Sequence, residues 1–310
     1  MKKNPLLVLL GISAAFFCLF LVFVFSTVGN LVKDKTLLGS HGGTTIGVIK
    51  LHGVIMDSQK TLKELKDFEE DTSVKAVLIR IDSPGGAVGP SQEIHDAVLR
   101  VDKVKPVIAS MESVAASGGF YVAVAARKIV SNAGTLTGSI GVIMDFANLS
   151  ELYKWGKVER FNIKSGKFKD TGSENRPMRP DERELLQNLI GNVYEQFLRA
   201  VATGRHLPIE TVRPIADGRV LTGEQAFNAK LVDKLGGLDV ALDIVREEAK
   251  LDPKAKLNLI LPEPKKRSLL EMIGSGAADS LLQGLIDKFP VLEQLSHVQA
   301  GSGTHALMFL

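Results

Sequence analysis

The run Ser113-Val114-Ala115-Ala116-Ser117-Gly118-Gly119-Phe120 joins two segments of opposite character. Upstream, Pro106 to Ser110 is apolar and strand-like; downstream, Gly118 to Ala126 is helical and Lys128 to Ser131 is a further strand. Ser117 therefore stands where a strand gives way to a helix, with free backbone N–H groups beside it. A hydroxyl so placed suits a nucleophile. It also suits the tight packing of a helix start against a sheet, and the stretch taken alone favours packing over chemistry.

The same alternation extends outward. Thr45 to Leu51 is β-branched and strand-like, and residues 59–70 carry Leu62, Leu65 and Phe68 on one helical face. Ala76 to Ile81 is a strand that runs into Asp82-Ser83-Pro84-Gly85-Gly86-Ala87, after which a helix restarts near Pro90-Ser91 with Ile94, Val98 and Leu99 as its buried stripe. Strands alternating with helices predict an α/β domain with largely parallel pairing. Beyond it, Thr135 to Ile143 is expected to be a turn entering a strand, Leu149 to Trp155 a short helix and Val158 to Ile163 a strand. A polar loop from Lys164 to Pro180 leads to the longest helix, read with Asp181 as N-cap and Glu184 completing a capping box. Leu221 to Lys250 reads as helix interrupted by Gly236-Gly237, and Leu257 to Leu261 as the last strand.

The 310 residues, 45% hydrophobic and 24% charged, suffice for a substantial core. Residues 5–28 carry no charge, and a bilayer core requires about 20 such residues as helix. The run is longer and richer in Phe than the apolar region of a cleaved signal, so it is expected to be an uncleaved transmembrane anchor. Lys2 and Lys3 before it favour a cytoplasmic N-terminus (residues 1–4) and an extracytoplasmic domain. A Gly-containing linker, 29–44, follows. The tail from 262 to 310 has an amphipathic pattern that fits association, a membrane surface or simple packing. Its apolar end, Leu307 to Leu310, is also a conceivable substrate mimic at the active site. Cys18 is the sole cysteine, which excludes disulfides and cysteine metal ligands in the outer domain, and a net charge of +3 gives no reason to expect nucleic acid.

A serine nucleophile needs oxyanion donors and a base. The Gly118 N–H follows the serine directly, and the Pro84-Gly85-Gly86 turn offers a second donor. Of six histidines, only His52 and His95 lie within the expected core of the domain, and His95 reads as a solvated helix position beside Asp96. No G-x-S-x-G elbow is present. A lysine is the other option, provided its amine is neutral; lowering a lysine pKa by about three units costs roughly 4 kcal/mol, so the fold must hold it. Ile163-Lys164-Ser165-Gly166-Lys167-Phe168-Lys169-Asp170 supplies three lysines whose mutual repulsion favours one neutral amine, although Asp170 opposes this unless its carboxylate points away.

Ser83-Pro84-Gly85-Gly86, Ala115-Ala116-Ser117-Gly118-Gly119, Leu136-Thr137-Gly138-Ser139-Ile140-Gly141-Val142, Lys164-Ser165-Gly166-x-x-Lys169-Asp170, Ala216-Asp217-Gly218-Arg219-Val220 and Leu231-Val232-Asp233-x-Leu235-Gly236 occur in this order. Together, over about residues 45–245, the chain resembles the bacterial signal peptide peptidase A family in its short, single-domain form. The resemblance implies an α/β Clp/crotonase-like spiral of ββα units over 45–261, preceded by one N-terminal transmembrane helix. It implies a membrane-anchored serine protease with Ser117 as nucleophile, Lys169 as general base, Ser139 orienting that lysine, and the N–H groups of Gly86 and Gly118 as oxyanion hole. It further implies no cofactor or metal, cleaved signal peptides and other small hydrophobic peptides as substrates, the lipid bilayer as a partner and a ring-like homo-oligomer at the bacterial inner membrane with its domain on the periplasmic side. A third family glycine is replaced by Ala87. A crotonase-like acyl-CoA enzyme and a non-catalytic membrane scaffold are the alternatives.

Overall fold

The computed structural model describes residues 43–262 together with Met308 and Phe309. The expected anchor at 5–28, most of the linker and the tail from 263 to 307 lie outside the described residues. Among the described residues, no helix is long and apolar enough to cross a membrane.

The elements follow the α/β expectation. In chain order they are β1 (Thr44–His52), α1 (Gln59–Glu70), β2 (Val74–Ser83), β3 (Gly86–Ala87), α2 (Val88–Asp102), β4 (Val107–Ala116) and α3 (Gly118–Ala123). Next come β5 (Lys128–Ser131), β6 (Leu136–Gly138), α4 (Ser150–Trp155), α5 (Pro180–Arg205), α6 (Ile209–Val212) and a 3-10 turn (Arg213–Ile215). The series closes with β7 (Val220–Thr222), α7 (Gly223–Asn228), β8 (Lys234–Leu235), α8 (Leu238–Glu248), β9 (Leu257–Ile260) and β10 (Met308–Phe309).

The main sheet runs β7-β6-β4-β2-β1-β9, and every pair except β6–β7 is parallel. Parallel strands covered on both faces need apolar side chains on both, which accounts for the near-continuous Val77-Leu78-Ile79 run. One face packs Ile46, Val48, Leu78, Ile108 and Val130 against Ile244 and Val245 of α8. The opposite face packs Ile49, Val77, Ile79, Ala109 and Met111 beneath Ile94, Val98, Phe120 and Phe197 from α2, α3 and α5.

β4 is where the sheet divides. Its first half, Ile108 to Met111, pairs with β5, whereas Val114 to Ala116 pairs with β6 on the same edge. The strand thus changes neighbour around Glu112 and Ser113, and its upper end projects past β5. Its last residue precedes Ser117, so the fork sets where the candidate nucleophile stands.

Several expectations need correction. Val158 to Ile163 is exposed, non-strand chain, because no strand of the described fold offers it a ladder partner. The strand expected after Gly138 precedes it instead, as β6. The long helix begins at Pro180 with Arg179 as N-cap, and Glu182, not Glu184, closes the capping box. Leu221 to Lys250 contains two short strands besides α7 and α8; β8 is drawn out of helix by pairing with β5. Leu99 is exposed while Ile94 and Val98 are buried.

Helix α5 presses on the C-terminal end of α3 through Gly204, where a Cβ would lie 2.1 Å from the Val124 carbonyl oxygen. Gly191 of the same helix has no such neighbour within 4 Å. Alanine in a helix gains roughly 1 kcal/mol over glycine, while forcing atoms into a packed contact costs about 1–3 kcal/mol. Gly204→Ala is therefore expected to lower, and Gly191→Ala to raise, the urea midpoint; equal shifts in the two variants would contradict this docking.

Candidate active site

Ser117 sits between β4 and α3 with φ +51° and ψ −116°. A positive φ is costly for a residue with a Cβ, by about 1–3 kcal/mol, and persists where surrounding contacts over-determine it. Here the Ser117 N–H donates to Gly138 O at 2.9 Å and its carbonyl accepts from Tyr121 N at 2.7 Å. The strand–turn–helix junction is the physical counterpart of a nucleophile elbow, without that motif's sequence. Its side chain is fully buried, yet Oγ has no hydrogen-bond partner. Satisfied burial is the rule for hydroxyls, so an orphaned one calls for a reason.

Glycines bring the donors together. A Cβ on Gly118 would lie 3.2 Å from Gly86 N and 2.6 Å from Ser91 Oγ, and one on Gly119 would lie 2.7 Å from Ser83 O. The start of α3 at Gly118 and β3 at Gly86 thus approach each other closely. Gly86 itself is pressed against Ile55, whose carbonyl oxygen would be 2.2 Å from an added Cβ. That bridge uses Gly85 O, accepting from Ile55 N, and Ala87 N, donating to Ile55 O. Successive peptide groups of an extended chain point to opposite edges, so the Gly86 N–H is left on the other side. Along that side Met308 and Phe309 pair antiparallel with Ala87 and Gly86. The apolar end raised above as a substrate mimic is therefore laid, in part, along the candidate oxyanion strand.

Ser139, also at positive φ (+50°) and nearly buried, directly follows the Gly138 that holds Ser117. Its N–H donates to Arg219 O at 2.9 Å, which ties it to the turn before β7. A cavity of about 420 Å³ opens beside it, bounded by Val142, Ile190, Tyr194 and Asp217. Ser117, Gly118, Gly86 and Ser139 are thus gathered by the fold.

Lys169 is placed differently. It lies exposed on the loop between α4 and α5, with its N–H donating to Gly166 O at 3.2 Å, and it makes no hydrogen bond to Ser117 Oγ. The Asp170 carboxylate turns to other partners: Lys164 Nζ donates to one oxygen and Arg176 to the other at 3.0 Å. Hydrogen bonding from Lys164 holds its pKa down at about 2, and Arg176 adds to the effect. Glu182, its side chain wholly buried, accepts from Arg176 at 2.6 and 2.8 Å and from the Arg179 N–H at 2.9 Å, which lowers its pKa to about 2. Sequence reasoning missed Glu182 and Arg176; the signal available was the spacing of Arg176 and Arg179 ahead of a helix start. It also missed Ser91, which a lone serine could not have disclosed.

Among the described residues, the histidines do not form a triad with Ser117. His95 is buried against the Tyr121 ring, 4.8 Å between centroids, with Nδ1 2.9 Å from Asp96 Oδ1, which corrects the expectation of a solvated position. Burial pushes its pKa down. His52 is exposed, 3.5 Å from Asp82. Neither is bonded to Ser117 Oγ. Among the described residues no group of His, Cys, Asp and Glu is gathered to hold a metal.

Peptidase family S49 matches residues 100–252. A putative protease of Synechocystis sp. is 41% identical, aligned over 81% of this chain and 89% of its own. A putative signal peptide peptidase SppA of Enterococcus faecium is 34% identical over 72% of this chain and 69% of its own. The chloroplastic serine protease SPPA of Arabidopsis thaliana is 35% identical over 84% of this chain but only 40% of its own length. On these likenesses the chain belongs to peptidase family S49, among the proteases of the signal peptide peptidase A type.

Proposed function

We propose that this chain is a membrane-anchored serine endopeptidase that hydrolyses signal-peptide remnants and other small hydrophobic peptides with a Ser117–Lys169 dyad. The observation that carries the reading is the buried, unbonded Ser117 Oγ at the junction where Gly118 packs against Gly86. Substrate would lie extended along Gly86-Ala87, as Met308 and Phe309 do, so that main-chain hydrogen bonds bind it with little regard to side chain.

In this mechanism the neutral Lys169 amine takes the Ser117 proton as Oγ attacks the scissile carbonyl. The Gly86 and Gly118 N–H groups hold the oxyanion, each donor of this kind being worth about 3–4 kcal/mol. Collapse of the tetrahedral intermediate expels the amine product, which receives the proton from the Lys169 ammonium and leaves an acyl-enzyme. Lys169 then deprotonates water, which attacks the ester and frees Ser117. Ser139 orients the lysine. No cofactor or metal takes part.

The remaining question is how an exposed lysine reaches a buried serine. The chain before the lysine loop presents Trp155 (83% exposed), Phe161 (76%) and Ile163 (96%) to solvent. Apolar exposure on this scale favours a protein partner. A second copy of the chain, covering this surface in a ring-like homo-oligomer, would carry Lys169 of one copy to Ser117 of the next and exclude water from the acyl-enzyme. The uncharged run at 5–28 would anchor each copy in the bacterial inner membrane, N-terminus in the cytoplasm and peptidase domain on the periplasmic side. Nucleic acid has no part in the reading.

Ser117→Ala is expected to abolish peptide hydrolysis and Lys169→Ala to reduce it by at least about 100-fold, both with wild-type circular dichroism. Retained hydrolysis in either folded variant refutes its assigned role. Co-expression of the two inactive variants is expected to restore part of the activity, because some junctions would pair an intact serine with an intact lysine. No recovery in co-purified mixed oligomers would put both residues of the dyad in one chain.

A further inference from the structure

The loop that carries Lys169 is held by an unusual concentration of charge. Lys164, Lys167, Arg176 and Arg179 face Asp170, Asp181 and Glu182. Arg176 is central, since its guanidinium bridges Asp170, 3.0 Å away, and the buried Glu182, 2.6 Å away. Its Nη2 also donates to the Asp170 carbonyl at 3.1 Å, so both the backbone and the side chain of Asp170 are fixed. Arg179 adds a second link from Glu182, at 2.9 Å, to the Lys167 carbonyl, at 3.1 Å. Lys167 in turn pairs with Asp181 at 2.7 Å. Four cations thus engage all three carboxylates, and among the described residues Lys169 forms no ion pair although Asp170 is its neighbour in the chain.

We propose that Arg176 and Glu182 are positioning residues for the reaction: Arg176, anchored by Glu182 in the first turn of α5, draws the Asp170 carboxylate away from the Lys169 amine and keeps that amine without a counter-ion. The inference rests on reading Lys169 as the general base. A carboxylate beside a lysine stabilises its charged form, and the protonated amine cannot take the serine proton. The cluster turns that carboxylate toward its own cations and places a net positive charge along the loop that carries Lys169. A purely structural anchor for α5 would need Glu182 and its arginines, but it would not need one guanidinium to grip both oxygens of the chain at Asp170, the backbone carbonyl and the carboxylate.

The test follows Ser117 labelling by a fluorophosphonate probe against pH in the full chain. In wild type the rate should rise to a plateau with pH. Arg176→Met removes the partner of one Asp170 carboxylate oxygen and of its carbonyl, leaving Lys164 and Arg179 on the other oxygen. It should move the midpoint upward by about one pH unit, and adding Asp170→Asn should return it toward wild type. A midpoint unmoved in Arg176→Met, or not returned in the double variant, overturns the proposal, since an anchor alone would lower the rate at every pH and gain nothing from Asp170→Asn. Should Arg176→Met fail to fold, Glu182→Gln, which keeps the side-chain shape, carries the same expectation and the same reversal by Asp170→Asn. Lys169→Ala separates the two levels: pH-dependent labelling that survives in it removes the base assignment, whereas its loss together with an unmoved Arg176→Met midpoint removes only the positioning role.

Discussion

The site depends on how closely three backbone segments approach one another around Ser117. β3 touches the Ile55 segment at Gly86, where a side chain would strike a carbonyl oxygen at 2.2 Å, and the start of α3 touches β3 at Gly118, with 3.2 Å to Gly86 N. Gly119 seals the contact against Ser83 O at 2.7 Å. These are main-chain distances that no rotamer change can relieve, so the small residues on either side of Ser117 are required by packing and by chemistry at once. The positive φ of Ser117 is held by the same arrangement, with Gly138 gripping its N–H and α3 its carbonyl. What the close approach encloses is a buried serine hydroxyl without a hydrogen-bond partner.

Beyond that centre, the fold treats its two halves differently. Ser117 belongs to the buried core of the parallel sheet, where both faces are covered and the strand ends are set by the fork of β4 between β5 and β6. Lys169 belongs to a surface loop whose order comes from ion pairs and the first turn of α5. Ion pairs at an exposed surface contribute little individually, but this cluster closes on a wholly buried Glu182, and a buried carboxylate stripped of its arginines is strongly unfavourable. The loop is therefore fixed internally while it remains free to present Lys169 outward.

That division also governs what was legible in the sequence. The strands of the core announced themselves through β-branched runs such as Thr45 to Leu51 and Ala76 to Ile81, because both faces of a parallel sheet demand apolar side chains. The β4–Ser117–α3 junction was legible for the same reason, and Gly86 and Gly118, singled out there as donors, lie where an added Cβ would crowd the neighbouring backbone. Val158 to Ile163 was misread, since its apolar composition suits a strand but no ladder partner lies within the described fold. The N-cap of α5 was misplaced by two residues because Arg179 caps it through contacts to Glu182 that a propensity-based reading does not favour. The burial of His95 depends on Tyr121, itself packed against Phe197, meeting it from another element, which no local pattern encodes. Glu182 and Arg176 escaped notice because in sequence they are two more charges in a polar stretch, and only their convergence on Asp170 distinguishes them.

The central claim is that Ser117 Oγ becomes covalently acylated during turnover. Quenching the enzyme in acid during steady-state hydrolysis of a slow peptide ester, followed by mass spectrometry of the digested chain, tests this most directly. The account predicts an acyl adduct on the peptide spanning Ser113 to Phe120, localised to Ser117 by fragmentation and absent from Ser117→Ala. An adduct localised to Ser139 or any other residue, or full turnover with no acyl-enzyme trapped by a substrate whose deacylation is rate-limiting, would contradict it.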